Sequence, residues 1–200
     1  MAKAPSMTKL GATLRAILTA FSGQPAFALV GGVAVSARTV PRFTRDLDFA
    51  LAVEGDAEAE RVVFGLQGRG FSVVATIEHA TAHRMATVRL RESPRAPFVD
   101  LLFASCGLEP EIVRAATPLE VLGVTVPVAS VGHLIAMKLV SRDPKRRPRD
   151  QQDLVELAGV ADDGEWRRAE ASVAVIQQRG FARGRDLVAG LAEVRALVAD

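Results

Sequence analysis

Apolar positions recur along this chain at two different periods, and the change of period marks out the elements. Leu10, Leu14, Ile17, Leu18 and Phe21 return every three or four residues, which predicts one helical face, and Ser6 or Thr8 can cap that helix. Ser22 to Pro25 breaks it. Ala26 to Val30 reads as a short buried strand, and Gly31-Gly32 as a tight turn into a helix of small residues reaching about Ala37. After Pro41, Asp46 to Val53 alternates polar and apolar, the period of a strand. Gly55-Asp56 ends it, with Asp56 placed to cap a helix from Ala57 to Gln67.

Phe71 to Ile77 and Met85 to Arg91 read as paired strands, and Phe98 to Ala104 as another. A short helix over Glu109 to Ala116 precedes a strand from Val121 to Val128, interrupted by Gly123. From Ser130 onward the pattern is helical. Val131, Leu134, Ile135, Lys138 and Leu139 share neighbouring faces of one helix, and Pro148 to Ala158, Glu165 to Gln178 and Gly184 to Val198 predict three more. No internal repeat is present. This mixed order predicts an α/β (α+β) fold, a mixed and partly antiparallel sheet flanked by helices, followed by a helical C-terminal part. The division falls near Val128, giving residues 1–128 and 129–200.

Composition narrows the picture little. The 200 residues suffice for a real core, and with Tyr absent and Trp166 alone the core must be aliphatic with Phe filling. One cysteine, Cys106, excludes an intrachain disulfide framework and fits a reducing compartment. No apolar run reaches the roughly 18 residues of a membrane span, Ala26 to Ala37 being the nearest. The N-terminal stretch carries Lys3, Lys9 and Arg15 without the apolar region of a signal peptide, so the expected location is the cytoplasm. The net charge of +2 is unremarkable, but Arg142, Lys145, Arg146, Arg147 and Arg149 crowd one loop. That loop either contacts RNA phosphates or is solvated, and no aromatic residue is interleaved to stack bases.

The informative segment is Leu29-Val-Gly-Gly32, thirteen intervening residues, then Asp46-Leu-Asp48-Phe49. On a strand, Asp46 and Asp48 project to one face, about 7 Å apart, where they repel each other and lose hydration. A divalent cation with a preference for oxygen ligands resolves both problems. Asp100 stands alone among apolar residues in Phe98-Val-Asp-Leu-Leu-Phe103, and it either joins the first two acids or pairs with Arg45 or Arg89. Three acids on adjacent strands can hold two ions about 3.5–4 Å apart. Gly31-Gly32 supplies the complementary half: the backbone approaches a ligand closely there, and the helix start offers amides to phosphate. Lys138 interrupts an apolar helix and either snorkels to solvent or serves this site. Asp150 and Asp153 are a turn apart near a helix start, where they also complement the helix dipole. His79 and His83 have the spacing of a zinc pair but lack the Glu of a metalloprotease motif and sit in a turn-like segment. Cys106 reads as a small buried residue rather than a nucleophile.

Gly-Gly, then Asp-x-Asp, then a later Asp between apolar residues resembles the nucleotidyltransferase (polymerase β-like) superfamily. The segment Leu29 to Phe49, with Arg42, Thr44 and Arg45 just before the acids, resembles its AbiEii/AbiGii toxin-type branch. So does Leu134-Ile-Ala-Met-Lys-Leu139 followed by Arg147-Pro-Arg-Asp-Gln-Gln-Asp-Leu154. The resemblance implies a nucleotidyltransferase catalytic core over 1–128 and a helical part over 129–200 that completes the cleft. It implies Gly31, Gly32, Arg45 and Lys138 on the nucleotide, and Asp46, Asp48 and Asp100 on Mg2+ or Mn2+. Asp150 would orient Lys138 or contact substrate. The activity so implied is transfer of a nucleoside monophosphate from an NTP to an acceptor hydroxyl. The acceptor would be RNA such as a tRNA 3′ end, and the enzyme the toxin of a pair with an antitoxin protein as partner. A small-molecule acceptor such as an antibiotic, or a catalytically idle nucleotide- or partner-binding member, are the alternatives.

Overall fold

The computed structural model describes residues 5–21, 25–79, 83–143 and 148–198. In chain order the elements are α1 (Pro5–Ala20), β1 (Phe27–Val30), α2 (Gly31–Arg38), β2 (Leu47–Leu51), α3 (Asp56–Gln67), β3 (Ser72–His79), β4 (Arg84–Arg91) and β5 (Val99–Leu102). There follow α4 (Glu109–Ala115), β6 (Thr117–Val121), β7 (Val124–Val128), α5 (Val131–Ser141), α6 (Pro148–Val160), α7 (Asp163–Gln178) and α8 (Leu187–Ala196). The strands form one seven-stranded sheet in the order β3-β4-β5-β2-β1-β7-β6. The pairings β1–β7 and β2–β5 are parallel and the others antiparallel, the mixed sheet that the sequence order predicts.

The core follows from the apolar periodicity. Leu10, Leu14 and Ile17 of α1 are buried, and Phe21, Phe27 and Phe49 stack edge-on and tilted beneath them. Leu47, Phe49, Ala50 and Leu51 make β2 a central strand covered everywhere but at Asp48, whereas β3 is an exposed edge. Helix α5 is buried along nearly its whole length, which explains its unbroken apolar character, and it packs against α6, α7 and α8 and against α2. Gly132 allows a close approach of α5 to α7. A Cβ there would lie 2.9 Å from Arg168 Cβ and 3.0 Å from Ala169 N on α7.

Three expectations change at local level. Val121 to Val128 is two strands, not one: Leu122 and Gly123 both adopt positive φ, 53° and 81°, and make the tight turn of the β6–β7 hairpin. Helix α1 begins at Pro5, before the expected caps Ser6 and Thr8. Asp56 does not cap α3, since Gly55 holds that position. Its carboxylate instead accepts the Met85 N–H of β4, 3.2 Å from each oxygen, and ties α3 to the sheet. The expected break over Ser22 to Pro25 lies outside the described residues except for Pro25, as do Lys145, Arg146 and Arg147 of the basic loop.

Ser130 caps α5 by accepting the His133 N–H, and its hydroxyl lies 3.1 Å from His133 Nδ1. Burial of this imidazole, reinforced by Arg168, lowers its pKa to about 4. The folded protein therefore keeps His133 neutral while the unfolded chain takes up a proton below its ordinary value of 6.5. Its contribution to stability is complete above pH 6.5 and is lost as pH falls to about 4, by about 3 kcal/mol in all. Urea unfolding of the protein and of His133→Gln over that range is expected to show the steeper acid loss in wild type. Gly132→Ala is expected to cost about 1–3 kcal/mol in the same assay, through overpacking against α7.

Candidate active site

Four neighbouring strands place one residue each in a row across the sheet. The register sets Val30 of β1 opposite Asp48 of β2, Asp48 opposite Asp100 of β5, and Asp100 opposite Arg89 of β4. Residues opposite one another share a face, so two acids and an arginine stand side by side at the end of β1 where α2 starts. Gly31 follows Val30 with φ of +65°, in the left-handed region that favours glycine. A Cβ there would overlap the Asp48 carboxylate, at 2.5 Å from its Cγ and 2.8 Å from its Cβ. The α2 N-terminus and the Asp48 carboxylate thus meet without an intervening side chain. Val30 provides no side-chain cap for this helix, in contrast to Ser130, Asp162 and Asp186 at the starts of α5, α7 and α8.

This junction opens into a cleft of about 840 Å³. Gly31, Gly32, Asp48, Arg89, Asp100 and Lys138 line it on the sheet and α5 side. Asp46 lies just before β2, half-buried, and Arg45 is exposed with its guanidinium over the Phe43 ring; neither lines the cleft. Burial raises the Asp46 pKa, with Asp100 adding to the rise and Arg89 and Arg45 opposing it. Asp100, whose alternatives were open on sequence, forks onto Arg89 with both oxygens, at 2.8 and 2.6 Å. That bond and the fields of Asp100, Asp46 and Asp48 raise the pKa of the Arg89 guanidinium. Among the described residues no three His, Cys, Asp or Glu side chains form a group arranged to hold a metal ion.

Lys138 does not snorkel. Its ammonium is buried between Asp150 at 2.7 Å and Asp153 at 2.6 Å, and Ser141 Oγ donates to the other Asp150 oxygen at 3.2 Å. Asp153 also binds the Arg42 guanidinium at 2.6 Å. Arg42 in turn lies against Gly32, 3.2 Å from where a Cβ would stand. On sequence Asp153 is only a neighbour of Asp150, and Arg42 only part of a motif. The contact between them spans 111 residues and leaves no local signal. Of the remaining candidates, Cys106 and His79 line the same cleft and His83 does not. Cys106 is buried, and burial together with Glu109 pushes its thiol pKa well up, which makes it a poor nucleophile. His79 ends β3 and stacks on Phe181, and His83 sits at φ 47° before β4.

Residues 12–197 match the sequence model of a family described as nucleotidyl transferase AbiEii toxin, type IV TA system. The chain belongs to the AbiEii family. Comparison with curated proteins gives no match. In solved structures, the AbiEii chain is similar to an antigenic nucleotidyltransferase-like protein from Paracoccidioides brasiliensis. That likeness has 18% identity and a TM-score of 0.51, over 94% of this chain and 93% of that one. It is also similar to a candidate nucleotidyltransferase from H. pylori, with 15% identity and a TM-score of 0.50 over 98% and 94%. These likenesses show a shared nucleotidyltransferase-type fold, the α/β mixed sheet flanked by helices that the sequence predicts. No helix among the described residues is long and apolar enough to cross a membrane.

Breaking the buried Lys138–Asp150–Asp153–Arg42 network at its shared acid leaves Arg42 without this carboxylate and Lys138 with Asp150 alone. Asp153→Ala is therefore expected to cost about 3–5 kcal/mol in chemical denaturation. A loss below about 1 kcal/mol would show that the network is not built as described.

Proposed function

We propose that the AbiEii chain transfers a nucleoside monophosphate from an NTP to an acceptor hydroxyl and releases pyrophosphate, in the cytoplasm. The observation that carries this is the junction of Gly31 with Asp48. A carboxylate and an uncapped helix N-terminus meet there at the mouth of a cleft, and a phosphate could be gripped from both directions. The donor chemistry fits a hard divalent cation. Asp46 and Asp48 offer oxygens two residues apart, and burial together with the neighbouring Asp100 already disfavours an uncompensated charge on Asp46. Mg2+ or Mn2+ held there would supply positive charge to the triphosphate and to the attacking hydroxyl.

In this reading Gly31 and Gly32 present backbone amides to the phosphates. Lys138, fixed by Asp150 and Asp153, stands on the cleft wall as a positioned N–H donor. Asp100, oriented by Arg89, accepts the proton of the acceptor hydroxyl as its oxygen bonds to the α-phosphorus and the bond to the leaving pyrophosphate breaks. Residues 1–128 then act as the catalytic core, and 129–200 close the cleft with Lys138. The family description supports a toxin role with an antitoxin partner, and an RNA acceptor is what the sequence resemblance implies. A second reading, a small-molecule acceptor such as an antibiotic, draws support from the cleft volume, which lies within the range of ligand pockets.

Purified protein incubated with each labelled NTP, Mg2+ and total RNA is expected to label RNA, and Asp48→Ala to lower the rate by about a hundredfold or more. Equal labelling by both proteins would overturn the proposal. Labelling of an antibiotic panel in place of RNA would move it to the second reading.

A further inference from the structure

A second pocket, of about 460 Å³, shares no lining residue with the cleft. Its size is that of a small-ligand site. Helices α4 and α7 form its sides, and the start of α5 contributes His133. The frame is fixed by two contacts. Arg179, just past α7, forks onto Glu111 of α4 at 2.7 and 3.1 Å, and Glu165 of α7 accepts the Gly132 N–H of α5 at 2.6 Å. The charges on the lining are unequal, with Arg114, Arg167 and Arg168 against the single carboxylate of Glu111. That carboxylate is already taken: its hydrogen bond from Arg179 lowers its pKa, and Arg114 acts on it only through its field. Arg168 reaches Glu165 at 3.5 Å, a long contact to an acid already engaged with Gly132. Among the described residues Arg114 and Arg167 make no side-chain hydrogen bond or ion pair.

His133 gives the second observation. It is 4% exposed and lines this pocket. The Ser130 hydroxyl accepts the His133 backbone N–H at 3.5 Å and lies 3.1 Å from Nδ1. That hydroxyl is buried and has no other hydrogen bond among the described residues, so its proton goes to Nδ1 and the ring's own proton stays on Nε2. Burial, reinforced by Arg168, keeps the ring neutral at physiological pH. Nε2 has no partner among the described residues. A buried N–H left unused is costly unless something binds it, and this one belongs to a pocket edged by guanidinium groups.

We propose that this pocket binds a small phosphomonoester, its phosphate held by Arg114, Arg167, Arg168 and the His133 Nε2–H. The ester's apolar body rests on Leu108, Ala115, Ala171 and Val175, which complete the lining. A guanidinium matches a phosphate oxyanion in charge and in fork geometry, and a dianion answers the excess of cations as a single carboxylate does not. The site stands apart from the proposed transfer chemistry, since none of these residues lines the cleft.

The test uses the full chain without Mg2+, as wild type, as the double variant Arg114→Gln with Arg167→Gln, and as Asp48→Ala. Calorimetry titrates phenyl phosphate and inorganic phosphate, and 15N NMR follows the His133 imidazole, assigned by the signal lost in His133→Gln. Both substituted arginines are exposed, so the unliganded double variant is expected to unfold at the wild-type temperature. Wild type is expected to bind phenyl phosphate more tightly than inorganic phosphate, with the Nε2–H resonance shifting as the site fills. The double variant is expected to lose about tenfold or more in affinity, and Asp48→Ala to lose none. Unchanged affinity in the double variant would overturn the inference. So would a loss in Asp48→Ala, which would put the phosphate in the cleft, or saturable binding that leaves the His133 signal unmoved. Phenyl phosphate binding no tighter than inorganic phosphate would assign the site to free phosphate and overturn the ester. Absence of saturable binding by wild type up to roughly 10 mM would overturn the whole inference. Nucleotide transfer enters none of these readouts, so a failure of the transferase reading leaves the pocket's outcome unchanged.

Discussion

The structure turns on one close approach, the Asp48 carboxylate against the backbone of Gly31. It can occur only because the residue after β1 has no Cβ and takes a positive φ. Any other residue would strain the backbone by about 1–2 kcal/mol and would push the carboxylate out of the space it occupies. With that approach in place, the antiparallel β1–β2 register carries Asp48 to the end of α2, and the parallel β2–β5 register carries Asp100 beside it. Both the shape of the cleft floor and its charge then follow from strand pairing rather than from loop conformation, which makes the floor rigid.

Around this floor the charges are balanced locally. Arg89 answers Asp100 across a strand pair, and Lys138 answers Asp150 and Asp153 between α5 and α6. Arg42 ties the segment before β2 to the same Asp153. Buried ion pairs of this kind contribute little net stability, yet removal of one partner is costly. Their effect is to fix positions: the helical C-terminal region is locked to the sheet through the residues that flank the cleft.

Much of the arrangement was legible in the sequence. The strand before Gly31-Gly32, the alternation through Asp48 and the buried Asp100 are local patterns, and local patterns survive folding. The parts that were not legible are of two kinds. Turn chemistry at Leu122-Gly123 is masked because a single glycine inside a strand pattern also fits a bulge. Long-range pairing carried no signal at all. Nothing near Lys138 indicates that Asp150 and Asp153 both turn inward to meet it, and nothing near Arg183 indicates that a loop between two C-terminal helices reaches the segment after β5. Arg45 and Arg42 show the same limit. Both precede the acids, but only the fold places Arg42 against Gly32 and leaves Arg45 over Phe43 at the surface.

The account stands or falls on whether the glycine turn and Asp48 form one nucleotide site, and calorimetric titration of Mg2+ with a non-hydrolysable NTP into wild type and Gly31→Ala reads this directly. Wild type is expected to bind, and Gly31→Ala to remain folded by circular dichroism while its affinity falls more than about tenfold. Equal affinity in the two proteins would contradict it.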